Sequence, residues 1–260
     1  MPVPIGLQLY SVRDACERDF LGTLERVAEM GYDGVVPGGL EGHAPEQVRA
    51  ALDRLGLRCF AGHEGLEALL DDPRGLAEQA LTLGHDRIVM PWTTARTPEE
   101  TEDLVASLLR IADALAEHGV RLGYHNHDFE FAPWPAPRGA HACMWDRITA
   151  EQRLFLEPDL GWVWYAGRDP IEVMDALRGR TPVVHVKDFA SRPQDGPVPG
   201  DQRALFCPVG DGRVGFDRVV PRILDGYGVE AIILEQDHSL DRPTLEAAER
   251  SLQNARPWVA

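Results

Sequence analysis

The sequence predicts an α/β protein built as one (β/α)8 TIM barrel, a single domain over residues 1–260. Three observations predict it. Eight short apolar runs alternate with helix-patterned segments from end to end. The 260 residues match the ~250 that eight βα units occupy. Finally, "QLYSVRD" follows the first run, where a doubly wound dinucleotide-binding sheet would carry GxGxxG.

In order, the runs are "IGLQLYSV" (5–12), "YDGVVPGG" (32–39), "LRCFAGH" (57–63) and "RIVMPW" (87–92), then "RLGYHNH" (121–127), "RLFLEPD" (153–159), "PVVHVKDF" (182–189) and "AIILEQD" (231–237). Each opens apolar, as a strand buried on both faces must, and ends in polar or turn residues. The connecting segments carry apolar residues at helical spacing. The first has Leu21, Leu24, Val27 and Ala28, then stops at Gly31. Residues 43–57 and 169–180 repeat that design. The segment 97–120 opens with Thr97 as cap, Pro98 in the first turn and Glu100 three residues on, and stops at Gly119. Two Pro/Gly-rich stretches, 132–145 and 190–215, follow strand ends and are expected as loops on the face where such barrels build their sites.

The net charge is −16, and no compact basic run occurs. That excludes a protein whose main partner is nucleic acid, because phosphate backbones need clustered Lys and Arg. No apolar run reaches the ~20 residues of a membrane span, and no signal-peptide pattern opens the chain. Four scattered cysteines without CxxC spacing argue for reduced thiols and a cytoplasmic protein. A small polar or anionic substrate fits, because a local site can differ from the global charge; a homo-oligomer stays open.

Function is read at the strand ends. Alternate strand residues share a face. The fifth run thereby aligns His125 with His127, the sixth Glu157 with Asp159, the seventh His185 with Lys187, and the eighth Glu235 with Asp237. Four neighbouring strands each carry an i, i+2 pair of ionisable groups. Buried ionisable groups are costly unless paired or metal-bound. A mixed Glu, Asp and His set suits Mn²⁺, Mg²⁺, Co²⁺ or Zn²⁺.

This layout resembles the xylose isomerase-like superfamily of TIM barrels. The stretches that carry the resemblance are "LQLYSVRD", "GYDGVV", "YHNHDFEF", "EPDLGWVWYAGRDP", "VVHVKDF", "PVGDGRVGF" and "ILEQD", which together span nearly the whole chain. Members include sugar (phosphate) isomerases and epimerases, inosose dehydratase, hydroxypyruvate isomerase and endonuclease IV. The resemblance implies four metal-holding side chains from strands five to eight, in the order Glu, Asp, His, Glu. Asp159, His185 and Glu235 match the last three. His125 stands where the epimerases present a Glu. Either His125 ligates the metal, or Glu157 takes the fourth place and leaves His125 for acid–base work; the second is preferred. The expected metal set is therefore Glu157, Asp159, His185 and Glu235.

The implied activity is a divalent-metal-dependent isomerase or epimerase of a sugar or cyclitol. It would abstract a proton next to a polarised carbonyl and pass through an enediolate. The alternative at the same site is a lyase acting on inososes or 3-keto-glycosides, and a remote one is a nuclease of the endonuclease IV type. His125, Glu235 and Lys187 are the expected catalytic residues. His127, Asn126, Trp162, His63 and Gln8 are expected to bind substrate. Tyr10 and Trp92 are further candidates, whereas Trp164 fits core packing better. Arg213, in the glycine-rich "PVGDGRVGF", could meet a substrate anion.

Overall fold

The computed structural model describes residues 2–260. Its strands are β1 (Ile5–Gln8), β2 (Gly34–Val36), β3 (Arg58–Cys59), β4 (Gly62–His63), β5 (Arg87–Met90), β6 (Arg121–His125), β7 (Pro133–Arg138), β8 (His141–Cys143), β9 (Phe155–Glu157), β10 (Val183–Phe189), β11 (Phe206–Cys207) and β12 (Ala231–Glu235). One parallel arc runs β10-β12-β1-β2-β3, with β11 antiparallel on its outer edge; the other runs β4-β5-β6-β9. The arcs meet through backbone bonds from His63 N to Pro37 O (3.0 Å) and from His185 N to Pro158 O (3.0 Å). The TIM barrel expected from the sequence is thus the observed fold.

Several details differ from the sequence reading. The third run is broken: β3 pairs with β2 and β4 with β5, so this position hands the sheet from one arc to the other. The first run ends at Gln8, and Leu9–Val12 is a 3-10 turn. Strands β6, β9 and β12 stop at His125, Glu157 and Glu235, so the second member of each expected pair lies just beyond the strand. The first Pro/Gly-rich stretch is not a plain loop. Residues 133–143 form the β7–β8 hairpin, and five of the six β7 positions, all but Trp134, are exposed, which suits prolines that cannot donate to a central ladder.

The barrel floor follows from small residues facing large ones. Phe60 and Phe155 lie inside the ring with Val36, Val89, Val183 and Ile233. They fit because Gly6 and Gly34 face Phe60, and Gly123 faces Phe155; a Cβ at Gly34 would stand 2.7 Å from the Phe60 ring. Two further apolar clusters pack the outer faces of the strands against the helices.

Helix ends match their sequence signals. Gly31, Gly56 and Gly84 close their helices in the left-handed conformation, at φ 95°, 69° and 89°. Thr97 and Glu100 form a reciprocal capping box, with bonds of 3.2 and 3.0 Å. Among the described residues no helix is long and apolar enough to cross a membrane, and the four cysteines are unpaired.

Candidate active site and metal centre

Parallel register gathers the functional side chains at the C-terminal ends of β6, β9, β10 and β12. His125 is level with Glu157, Lys187 with Glu235, and Asp159 with His185. Asp159 is fixed twice. Its Oδ1 accepts from Trp162 N (3.0 Å), capping the helix Leu160–Tyr165, and its backbone N–H donates to Asn126 Oδ1 (3.1 Å). The same helix presses close to β10, because Gly161 leaves room where a Cβ would strike the Lys187 carbonyl.

Glu157 is fully buried and stands at the centre of three imidazoles. Its Oε1 lies 2.6 Å from His63 Nε2, 3.0 Å from His185 Nε2 and 3.3 Å from His125 Nδ1. His63 is held in turn by Gln8, Nδ1 to Nε2 at 3.0 Å. His185 turns its other nitrogen, Nδ1, to Glu235 Oε2 at 2.8 Å. Lys187 is 1% exposed, and its Nζ lies 2.8 Å from Asp237 Oδ1, 3.3 Å from Asp159 Oδ2 and 3.4 Å from Glu235 Oε2.

These contacts set the charge states. Burial pushes the Glu157 carboxyl up, but the His185 and His63 charges and a bond from His125 outweigh it and hold the group well below the usual range. Burial likewise disfavours charge on Glu235, yet Lys187 and His185 keep it well below its ordinary value. Burial raises Asp159 and Asp237. His185 resists its burial because Glu157 and Glu235 flank it, and its pKa rises to about 10. Burial takes His125 down to about 4 and His127 down to about 2, so both stay neutral. Lys187, despite burial, is raised by its three carboxylates and remains a cation.

Two overlapping groups have donor atoms mutually within 4.8 Å: His125, Asp159, His185 and Glu235, and His63, His125, Glu157 and His185. Of the expected set, Asp159, His185 and Glu235 fall in the first group together with His125, and Glu157 falls in the second with His63, His125 and His185. The physical reason is depth: Glu157 ends its strand two residues below Asp159, and at ~3.3 Å rise per residue it sits under the centre. The first group fits a divalent ion. It offers two imidazoles and two carboxylates, all buried and with donor atoms mutually within 4.8 Å.

A cavity of about 460 Å³ opens above this floor, lined by Gln8, His63, His125, His127, Lys187, Glu235 and Asp237, with Tyr10 and Trp92 at its mouth. Of the expected substrate-binding residues, Gln8, His63 and His127 line it. Asn126 does not: it is fully buried and bridges to the Asp159 backbone. Trp162 stands behind Lys187, whose Nζ lies 5.3 Å from its ring centroid. Trp164 is buried in the core, as expected. Arg213 pairs with Asp195 at 3.3 Å, away from the cavity lining. Two roles were missed. Asp237 was noted only as spaced from Glu235, yet it holds Lys187. Glu130 gave no spacing signal; it accepts from Tyr124 Oη (2.8 Å) and His127 N (2.8 Å) and so anchors the turn after β6.

The chain matches the family model described as Xylose isomerase-like TIM barrel over residues 24–258. It is 26% identical to the inosose dehydratase of Geobacillus kaustophilus over 254 residues, covering 85% of this chain and 81% of that protein. A sugar phosphate isomerase/epimerase structure from Parabacteroides distasonis superposes with a TM-score of 0.80 at 20% identity, covering 100% of this chain and 96% of that one. A xylose isomerase-like TIM barrel protein from Mycobacterium smegmatis, in complex with magnesium, gives 0.67 at 17% identity, over 99% and 98% of the two chains. At such identities the two structures speak for the fold.

Proposed function

The chain belongs to the xylose isomerase-like TIM barrel family, and from that premise we propose that it is a divalent-metal-dependent carbon–oxygen lyase acting on a keto-sugar or cyclitol. His125, Asp159, His185 and Glu235 are the residues that would hold the ion. When bound, the ion supplies a Lewis acid that polarises a carbonyl and acidifies the neighbouring C–H. Glu157 takes a supporting role: its Oε1 faces His185 Nε2 and His125 Nδ1, which turns the opposite nitrogens towards Glu235 and Asp159.

Glu235 lines the cavity and stays ionised beside Lys187 and His185, so its free oxygen serves as the base. The C–H electrons move to the carbonyl oxygen as an enediolate, where the Lys187 ammonium offsets the charge. Collapse of the enediolate breaks the C–O bond at the β-carbon. Lys187 passes a proton to the leaving oxygen and regains it from the Glu235 carboxyl, 3.4 Å from Nζ, which carries the proton taken from carbon; Asp237, 2.8 Å from Nζ, steadies the restored ammonium.

The observation that carries this reading is the one-sided proton equipment. The cavity-lining carboxylates, Glu235 and Asp237, both come from the end of β12, next to Lys187 on β10. Abstraction and leaving-group protonation on one face suit elimination; two-base epimerisation needs a second proton-transfer group across the substrate. The inosose dehydratase relative supports the same choice. Isomerisation or epimerisation is the second reading, favoured by His127, which lines the cavity from the turn after β6 with an unpartnered Nδ1.

The test is metal analysis of the purified protein with turnover of ketoses, inososes and 3-keto-glycosides in D₂O. Elimination gives an unsaturated or dicarbonyl product. It is expected to stop with chelator and return with Mn²⁺ or Co²⁺. Turnover insensitive to chelator, with no bound metal, overturns the proposal. Deuterated epimer without elimination replaces it with the second reading.

A further inference from the structure

The cavity has two chemically distinct zones. Its floor is polar, made by His63, His125, Lys187 and Glu235. Its mouth is aromatic. Tyr10 and Trp92 are 50% and 51% exposed and belong to a small set of exposed large apolar side chains on the chain. They come from separate loops, after β1 and after β5, yet they border the same opening. Large aromatic rings left in water at a cavity mouth call for a ligand surface to cover them.

An arginine holds the Tyr10 ring in place, and a second stands near Trp92. The Arg13 guanidinium stands 4.2 Å from the Tyr10 centroid, and it is tied to the carbonyls of Tyr10 and Asp237, each at 2.8 Å. Arg96 stands 5.9 Å from the Trp92 centroid and donates to the carbonyls of Thr93 (2.8 Å) and Ala95 (2.7 Å). Arg13 over one face of Tyr10 fixes that plane and leaves the other face for stacking, while Arg96 stacks on Phe129, 3.5 Å from its centroid, and stands beside Trp92. A pre-fixed ring binds at smaller entropic cost than a mobile one.

The charge pattern narrows the ligand. Among the described residues Lys187 is the one cation lining the cavity, and three carboxylates surround it within 3.4 Å. The two rim arginines each direct Nη1 at two backbone carbonyls. A phosphate group on the floor would face the Glu235 and Asp237 carboxylates, with Lys187 already shared among three acceptors. The volume, about 460 Å³, lies within the ~300–1,000 Å³ of sites that enclose drug-sized ligands, which is more room than one pyranose ring takes up.

We propose that Tyr10 and Trp92 form a second-ring subsite, and that the substrate is a glycoside whose aryl or sugar substituent stacks there while its oxidised ring sits on the polar floor. The placement of the reacting ring rests on the function proposed above; the subsite itself does not. The leaving group of the elimination would then be the substituent's own oxygen. The C–O bond breaks with both electrons on that oxygen, which takes its proton from the floor.

The test is calorimetry on the metal-loaded protein with matched phenyl and methyl β-glycosides of glucose, galactose and xylose, and with glucose 6-phosphate. Unoxidised glycosides are not turned over, so affinity is read apart from chemistry. At least one phenyl glycoside is expected to bind about tenfold tighter than its methyl partner, from about threefold per stacked ring. That ratio is expected to fall below about threefold in Trp92→Ala/Tyr10→Ala, whose melting temperature checks the fold. Glucose 6-phosphate is expected to bind more weakly than the phenyl glycosides. No phenyl advantage anywhere in the panel, an advantage untouched by the double variant, or tightest binding by the phosphate overturns the subsite. Metal-dependent turnover without phenyl preference removes the subsite alone, and phenyl preference without turnover removes the chemistry alone.

Discussion

Glu157 Oε1 lies 3.0 Å from His185 Nε2, with both side chains fully buried, while the other nitrogen of His185 faces Glu235 at 2.8 Å. A carboxylate behind a histidine that itself faces a carboxylate is the arrangement by which outer partners orient a metal-holding imidazole. Glu157→Gln should therefore keep metal binding but weaken it about 10–100-fold. Asp159→Asn should lose stoichiometric metal. Competitive calorimetry against a chelator with Mn²⁺ reads both. The rival assignment, Glu157 as a direct holder and His125 as free base, requires Glu157→Gln to lose the metal while His125→Gln keeps it.

Lys187 is the counter-charge of three carboxylates in a buried site. Removing one partner of a buried ionic cluster costs about 3–5 kcal/mol, because the remaining charges stay unpaired. Lys187→Met in chelator should be destabilised by about that amount. A divalent ion between the carboxylates can replace much of the lost charge. Mn²⁺ should thus raise the melting temperature more in Lys187→Met than in the parent. An equal or smaller shift in the variant would show that the carboxylates and the ion do not share one site.

The eight-unit pattern was legible because strands buried on both faces must be apolar, and helices must carry stops such as Gly31. The strand-end constellation was legible because period-two spacing survives in sequence. Pairing across strands was not. Whether His125 or Glu157 meets Asp159 depends on depth along β6 and β9, and spacing within one strand carries no depth relative to the next. The roles of Glu130 and Asp237 depend on where Tyr124 and Lys187 point. Asn126, expected to touch substrate, faces the Asp159 backbone. The β7–β8 hairpin hid behind its prolines, which a strand tolerates only at an exposed edge.

The floor of the barrel offers a packing test. A Cβ at Gly123 would meet the Phe155 ring at less than van der Waals distance. Gly123→Ala should cost about 1–3 kcal/mol through overpacking. Pairing it with Phe155→Leu should recover part of that loss, since residues in contact couple non-additively. Chemical denaturation of the four proteins of the cycle measures the coupling. Strict additivity would mean that position 123 and the Phe155 side chain do not pack against each other.

Glu130 gives the pH prediction. It is fully buried, and burial pushes its carboxyl up from 4.5 to about 7, against the bonds from Tyr124 and from backbone N–H groups. Unfolding returns the group to its ordinary value. A raised carboxyl binds its proton more tightly in the folded chain, so its contribution is fully present below about pH 4.5 and is lost as pH rises through about 7. Glu130→Gln cannot ionise, and its amide can still accept from His127 N and donate to Tyr124 Oη. The variant should match the parent near pH 4.5 and exceed it at pH 8 by about 1–3 kcal/mol. Thermal or urea melts at both pH values, with the metal held saturating, read the difference. A variant less stable than the parent at pH 8 would mean that the ionised carboxylate is the favoured form and that its two donors outweigh burial.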